Sequence, residues 1–282
     1  TAGIVALEVS NNNMDFTASG LTFAFRALPA VATVVPRRGP VSGGTVTLLS
    51  GSGFESGSLW CRFGAGVAAV AAQGITATSA TCVSPASPGA ATGAVSLEVS
   101  SNGVDYTSGG VQFVYDSTMV VAAVEPSSGS ETGGTVLNVL GTHFVRATAL
   151  SCRFGGSDAH IVTATWVSST AVRCVVPEHA PGATTLGVSS NGQQYATSVS
   201  ALFTFSVAST VHAIFPTSGS VSGGTALVVI GTGFSAATRC RFGGAGAATS
   251  NAALLNATAI ECATPPHAAG PVEVALSGNG VD

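Results

Sequence analysis

Six cysteines, Cys61, Cys82, Cys152, Cys174, Cys240 and Cys262, have the types and spacing most able to do chemistry in this chain of 282 residues. They form three pairs whose members stand 21, 22 and 22 residues apart. Equal pairs at one spacing suggest three disulfides: Cys61–Cys82, Cys152–Cys174 and Cys240–Cys262. Each would close a loop of about 22 residues and contribute roughly 3 kcal/mol in the chain-entropy model. Such bonds persist in oxidising compartments, so the pairing implies an extracellular or cell-surface setting. Zinc is a rival, but there is no Cys-x-x-Cys and no histidine at ligand spacing from the pairs. Buried free thiols are the other alternative.

The other reactive residue types make weaker patterns. His143, His160, His179, His212 and His267 are scattered, and only His179 and His267 share a place in the repeat described below, where the first copy has Ser87. They read as solvated loop residues. Asp15, Asp105 and Asp282, with Gln194 in their column, follow an Asn-Gly turn or its Asn-Asn counterpart. One acid per hairpin is too few for a calcium site, which needs several converging oxygens. Arg37-Arg38 could be a dibasic cleavage site, although two ordinary arginines in an exposed loop is the simpler reading. Asn256-Ala257-Thr258 is an N-glycosylation sequon, so Asn256 is a glycan site in a secreted chain unless the triplet is silent. No Ser-His-Asp set, paired carboxylates or phosphate-cradling loop keeps a consistent repeat position. No catalytic residue, cofactor or metal is therefore expected.

What positions the cysteines is an internal repeat of about ninety residues. Pro36, Pro126 and Pro216 open it. Gly43-Gly44-Thr45, Gly133-Gly134-Thr135 and Gly223-Gly224-Thr225 follow, and then Phe54, Phe144 and Phe234. A Cys-Arg-Phe-Gly tetrad begins at each first cysteine, and a Cys-x-x-Pro segment at each second one, ending at Pro85, Pro177 and Pro265. Within the tetrad, alternation sends Cys and Phe to a core and Arg to water. The stretches after Gly-Gly are rich in β-branched residues and Leu, and Leu49, Val139 and Val229 mark an inward position. Gly51 before Phe54 is expected to make a tight turn that lets the ring swing back under the sheet. Asn102-Gly103, Asn191-Gly192 and Asn279-Gly280 predict type I′ hairpins, with both central residues at positive φ. No segment sustains a helical period, so about seven short strands per repeat imply an all-β sandwich.

The predicted organisation is residues 1–28 as the last hairpin of a preceding repeat, then repeats over 29–116, 117–206 and 207–282, the last lacking its final strand. The links near 26–30, 116–118 and 206–210 are short and free of glycine, which predicts fixed domain orientations and a rod of on the order of 100 Å. The chain would then be an excerpt of a longer tandem array. Charged residues are only 8%, lysine is absent and the net charge is −4, which leaves no electrostatic footprint for nucleic acid. Mean hydropathy is +0.49, yet the apolar runs are far shorter than the roughly twenty residues of a membrane helix. The surface must be mostly Ser, Thr, Gly and Ala, suited to packing against neighbouring molecules or to a cover of sugar, although a codon bias towards Ala, Gly and Arg would also produce this composition.

Pro36, Gly39, Gly43, Gly44, Thr45, Gly51 and Phe54, with Cys-x-Phe-Gly, Cys-x-x-Pro and Ser-Asn-Gly-x-x-Tyr, resemble the IPT/TIG family of immunoglobulin-like domains. The later elements resemble its extracellular branch, which includes plexins, fibrocystin-like proteins and protist surface proteins. The resemblance covers nearly the whole chain, three times over. It implies the sandwich fold and leaves function open, since the same fold also serves transcription factors and modules attached to starch-processing enzymes. The expected role is a non-catalytic structural or adhesive segment, a stiff spacer that assembles with other protein chains into a surface filament or fibre. A receptor stalk is the alternative. Glycans are possible partners. Neither nucleic acid nor membrane contact within this segment is expected.

Overall fold

Burial alternates along the strands as a two-residue period demands. Thr47 and Leu49 are buried, while Val46 and Leu48 between them are exposed. The computed structural model describes residues 3–55, 57–156, 160–244 and 246–280, and the chain divides into two compact units, Thr1–Thr118 and Met119–Asp282.

The first unit opens with an antiparallel hairpin, β1 (Gly3–Ala6) and β2 (Thr22–Phe25). Arg26, just beyond it, ion-pairs with Glu55 of the first repeat. That repeat contains β3 (Ala30–Val35), β4 (Arg38–Pro40), β5 (Val46–Ser52), β6 (Trp60–Phe63), β7 (Val70–Ala71), β8 (Ser79–Val83), β9 (Gly93–Ser100) and β10 (Gln112–Asp116). One sheet has the order β3-β5-β8 and the other β4-β10-β9-β6-β7. The pairing is antiparallel except for the parallel contact of β4 with β10. The core lies between the sheets, where Phe63, Phe113 and Tyr115 meet edge to face at 5.1–5.2 Å, the arrangement favoured by ring quadrupoles.

The second unit holds two more repeats. Its first has β11 (Val120–Glu125), β12 (Ser128–Ser130), β13 (Val136–Thr142), β14 (Ser151–Phe154), β15 (His160–Thr163), β16 (Thr165–Ser168), β17 (Ala171–Val175), β18 (Gly182–Ser189) and β19 (Ala196–Ser206). They form sheets β11-β13-β17-β16 and β12-β19-β18-β14-β15 around Phe154, Phe203 and Phe205. The third repeat has β20 (Thr210–Phe215), β21 (Ala226–Thr232), β22 (Arg239–Phe242), β23 (Thr249–Asn256), β24 (Ala259–Ala263) and β25 (Val274–Ser277). Here β23 serves both layers: Thr249–Asn251 pairs with β22, and the following residues pair with β24. In the second repeat the same crossing is divided at the buried Ala164 into β15 and β16.

The first strand of every repeat carries an irregularity one residue wide, at Val31/Thr33, Val121/Ala123 and Val211/Ala213. It ends at a cis peptide bond before Pro36, Pro126 or Pro216. Proline suits a strand end because it has no N–H to give the ladder. Among the described residues, no helix is long and apolar enough to cross a membrane.

Candidate functional site

The cysteines sit on facing strands. Cys61 on β6 bonds to Cys82 on β8, Cys152 on β14 to Cys174 on β17, and Cys240 on β22 to Cys262 on β24. The Cα atoms are 6.3–6.4 Å apart, and all six residues are buried. In the first two repeats each bridge joins the two sheets, so the bond spans the core and stays out of reach of solvent.

Behind each bridge, two motifs that are distant in sequence form one knot. The Gly44 N–H donates to the Ser84 carbonyl at 2.8 Å, and the Ser84 N–H returns to the Thr45 carbonyl at 2.8 Å. The Thr45 N–H also reaches the Ser84 hydroxyl, and the Thr47 hydroxyl donates to the Cys82 carbonyl. Backbone bonds of the same pattern link Gly134 with Val176 and Gly224 with Thr264. Gly43 is glycine for two reasons: its φ is +75°, and a Cβ would lie 2.5 Å from the Pro85 main chain. The Gly-Gly-Thr and Cys-x-x-Pro motifs are thus the two halves of one loop clamp.

The Gly-x-x-Phe motif works differently from the sequence expectation. Gly51 is not at positive φ; it is required because a Cβ would meet the Ala30 carbonyl and the Phe54 ring. Positive φ falls two residues later, on Gly53, His143 and Gly233. His143 is therefore a turn residue in the left-handed region, and it occupies a glycine column.

Arg62 does not simply face water. It is half-buried, bonds to Glu98 at 2.6 Å and lies 3.8 Å from the centre of the Tyr106 ring. Arg153 stacks over Tyr195 in the same way at 4.4 Å. Such a cation–π contact explains why an aromatic follows the Asn-Gly loop in both repeats.

That loop is not a type I′ turn. Gly103, Gly192 and Gly280 have positive φ, and the asparagines before them do not. The Asn102 side chain instead braces a wider loop: its Oδ1 accepts from the Val104 and Asp105 N–H groups, and its Nδ2 donates to the Asp105 carboxylate at 2.8 Å. The Thr107 N–H then closes the loop onto the Val99 carbonyl. Asn12 with Asp15 and Asn191 with Gln194 repeat the brace. The acidic column is therefore used within its own loop; Asp282 lies outside the described residues.

Arg38 also departs from the exposed-loop reading. It lies on β4, half-buried, and ion-pairs at 2.9 Å with the buried Asp116. A protease would need to strip that strand from β10. His179 stacks on Phe205 at 4.6 Å, and its backbone N–H donates to the Glu131 carbonyl; His267 repeats the backbone bond, to Val221, and in both residues Nδ1 lies 2.8 Å from the carbonyl of the following alanine. Asn256 is exposed at the end of β23, with Oδ1 accepting from both the N–H and the hydroxyl of Thr258. Among the described residues, no group of three or more His, Cys, Asp or Glu side chains is placed to hold a metal ion.

Tyr115 is a site residue that sequence reasoning did not single out. Its buried hydroxyl donates to the Pro85 carbonyl at 2.8 Å and so ties β10 to the loop clamp. Burial pushes the phenol pKa up to about 12. The signal was present, since Tyr115 stands where the second repeat has Phe205, which His179 covers instead.

A repeated β-sandwich, with a core and one disulfide in each repeat, is of the immunoglobulin-like class. The IPT/TIG domain family model matches residues 29–115, 119–206 and 209–282, and the chain belongs to this family. It is similar to fibrocystin-L of Mus musculus, 28% identical over 234 residues that make up 83% of this chain and 5% of that protein. It is also similar to plexin-B2 of Mus musculus, 28% identical over 212 residues, 73% of this chain and 11% of that one. Among solved structures, the full extracellular region of plexin A4 aligns with a TM-score of 0.48 and 19% identity, covering 90% of this chain and 23% of that chain. The chain thus spans a small part of the length of these relatives. This kinship and the three disulfides place the chain outside the cell or at its surface.

Proposed function

We propose that this chain is a non-catalytic structural and adhesive segment of a larger surface protein, a spacer and assembly unit within a filament or fibre. The observation that carries the reading is where the reactive side chains go. Cysteines, the Arg62–Glu98 and Arg38–Asp116 pairs and the Asn102–Asp105 brace all make contacts within their own repeat. The repeats of residues 29–116, 117–206 and 207–282 would be successive units, with their disulfides closed in the native protein and Asn256 carrying a glycan. The hairpin of residues 1–28 would be the end of a preceding unit.

Other protein chains are the partners, through lateral packing. On the outer face of the β3-β5-β8 sheet, Val35 pairs across strands with Leu48, and Val46 with Val83. All four are exposed, at 42–62%. The second repeat carries Glu125 and Asn138 at two of the four matching places and the valines Val136 and Val175 at the other two, while the third keeps all four apolar as Phe215, Val228, Ala226 and Ala263. Light scattering on the purified chain across concentration, with electron microscopy of native material, tests this reading. Association and filaments are expected; a monodisperse monomer at every concentration together with filament-free native material would contradict it. Similarity to plexin-B2 supports a second reading, a receptor stalk, which a full-length chain with one membrane helix and a cytoplasmic signalling domain would favour.

A further inference from the structure

The second and third repeats are joined by Val207, Ala208 and Ser209, three residues between β19 and β20. The link is held on both sides. The Ala208 N–H donates to Glu131 Oε1 at 3.1 Å, towards the second repeat. The Ser209 hydroxyl donates to the Gly233 carbonyl at 2.9 Å, towards the third. A direct bond crosses the joint as well, from Asn279 Nδ2 to the Ser128 carbonyl at 2.7 Å.

Glu131 is the organising residue. Its N–H donates to the Ser206 carbonyl at 2.7 Å, and its carbonyl accepts from the His179 N–H at 2.9 Å. The backbone is therefore fixed before the side chain reaches the link. The Ser206 hydroxyl completes the frame by donating to the Gly129 carbonyl. In the first repeat Val41 makes the same two backbone bonds, its N–H to the Asp116 carbonyl and its carbonyl from the Ser87 N–H. Valine offers no acceptor to Thr118, the residue that matches Ala208. The third repeat has Val221 in this column. A carboxylate at this place is thus peculiar to the second repeat, on the same backbone that carries valine in the first.

We propose that Glu131 is a joint lock, a side chain that fixes the orientation of the third repeat on the second by capping the link amide of Ala208. A charged acceptor suits this task, because a hydrogen bond to an ionised group is roughly twice as strong as a neutral one. Position 131 then sets joint stiffness in one substitution, glutamate for a locked joint and valine for a freer one. The lock is independent of whether the array forms filaments, since it concerns one joint of a single chain.

The test is solution NMR of the whole chain with residual dipolar couplings and amide exchange, on wild type, Glu131→Val and Glu131→Gln. In wild type, the second and third repeats are expected to share one alignment tensor. Glu131→Val should split the tensors and speed Ala208 amide exchange about tenfold, the order expected for losing one such bond. Glu131→Gln keeps an acceptor oxygen and should stay close to wild type. Unchanged amide shifts around Cys152 and Cys174 would show that the repeat itself remains folded. Separate tensors in wild type, or Ala208 exchange unaffected by Glu131→Val, would overturn the proposal.

Discussion

Tyr115 shows how one side chain links a core to the loop beside it. Its ring packs on Phe113 at 5.1 Å while its hydroxyl satisfies the Pro85 carbonyl. Replacing it with phenylalanine leaves that carbonyl without this donor, which should cost about 1–3 kcal/mol in chemical denaturation. The same residue makes a pH prediction. The phenol ionises near 10 when unfolded and near 12 when folded, so the folded state holds its proton more tightly. The stabilisation is complete below pH 10 and is lost as pH rises through 12. Denaturation midpoints should therefore fall over that window in wild type, and this component should vanish in Tyr115→Phe. The cysteines act at the same scale. Opening each bridge frees a loop of about 22 residues and should cost roughly 3 kcal/mol, read as the difference between oxidised and reduced chains. Alkylation of all six cysteines in the unfolded, unreduced protein would contradict closed disulfides.

At the scale of the element, the loop clamp makes the sharpest prediction because its two glycines have different neighbours. Gly44 has φ of +82° and open space around the missing Cβ, so Gly44→Ala should cost about 1–2 kcal/mol from backbone conformation alone. Gly43 adds a main-chain collision with Pro85 to the same conformation, so Gly43→Ala should cost clearly more, about 3 kcal/mol or above. Equal midpoints for the two variants would sink this account of the motif. The fold class was legible because alternation and turn residues are local signals: Leu49, Val139 and Val229 are each fully buried. What escaped the sequence depended on non-local partners. Gly51 looked like a turn residue because its real constraint, the Ala30 carbonyl, belongs to another strand. Arg62 looked solvated because Glu98 and Tyr106 reach it only after β6 and β9 pair. Asn102 looked like half of a tight turn because its side-chain bonds, which widen the loop, do not show in the Asn-Gly pair.

For the whole molecule, the proposed role as a spacer and assembly unit is supported by repeats that each have a core and a disulfide of their own. The exposed quartet around Leu48 is the natural place to interrupt lateral packing. Leu48→Glu should shift association to several-fold higher concentration in light scattering while leaving the denaturation midpoint within about 0.5 kcal/mol, as surface changes usually do. An unchanged association curve would assign assembly to another face. On the proposed reading, this array stands outside the cell as part of a surface structure. Immunogold electron microscopy of intact, unpermeabilised cells, with antibody raised against residues 119–206, tests it most directly. Gold along extended structures on the outer surface is the predicted result; gold that appears only after permeabilisation would contradict it.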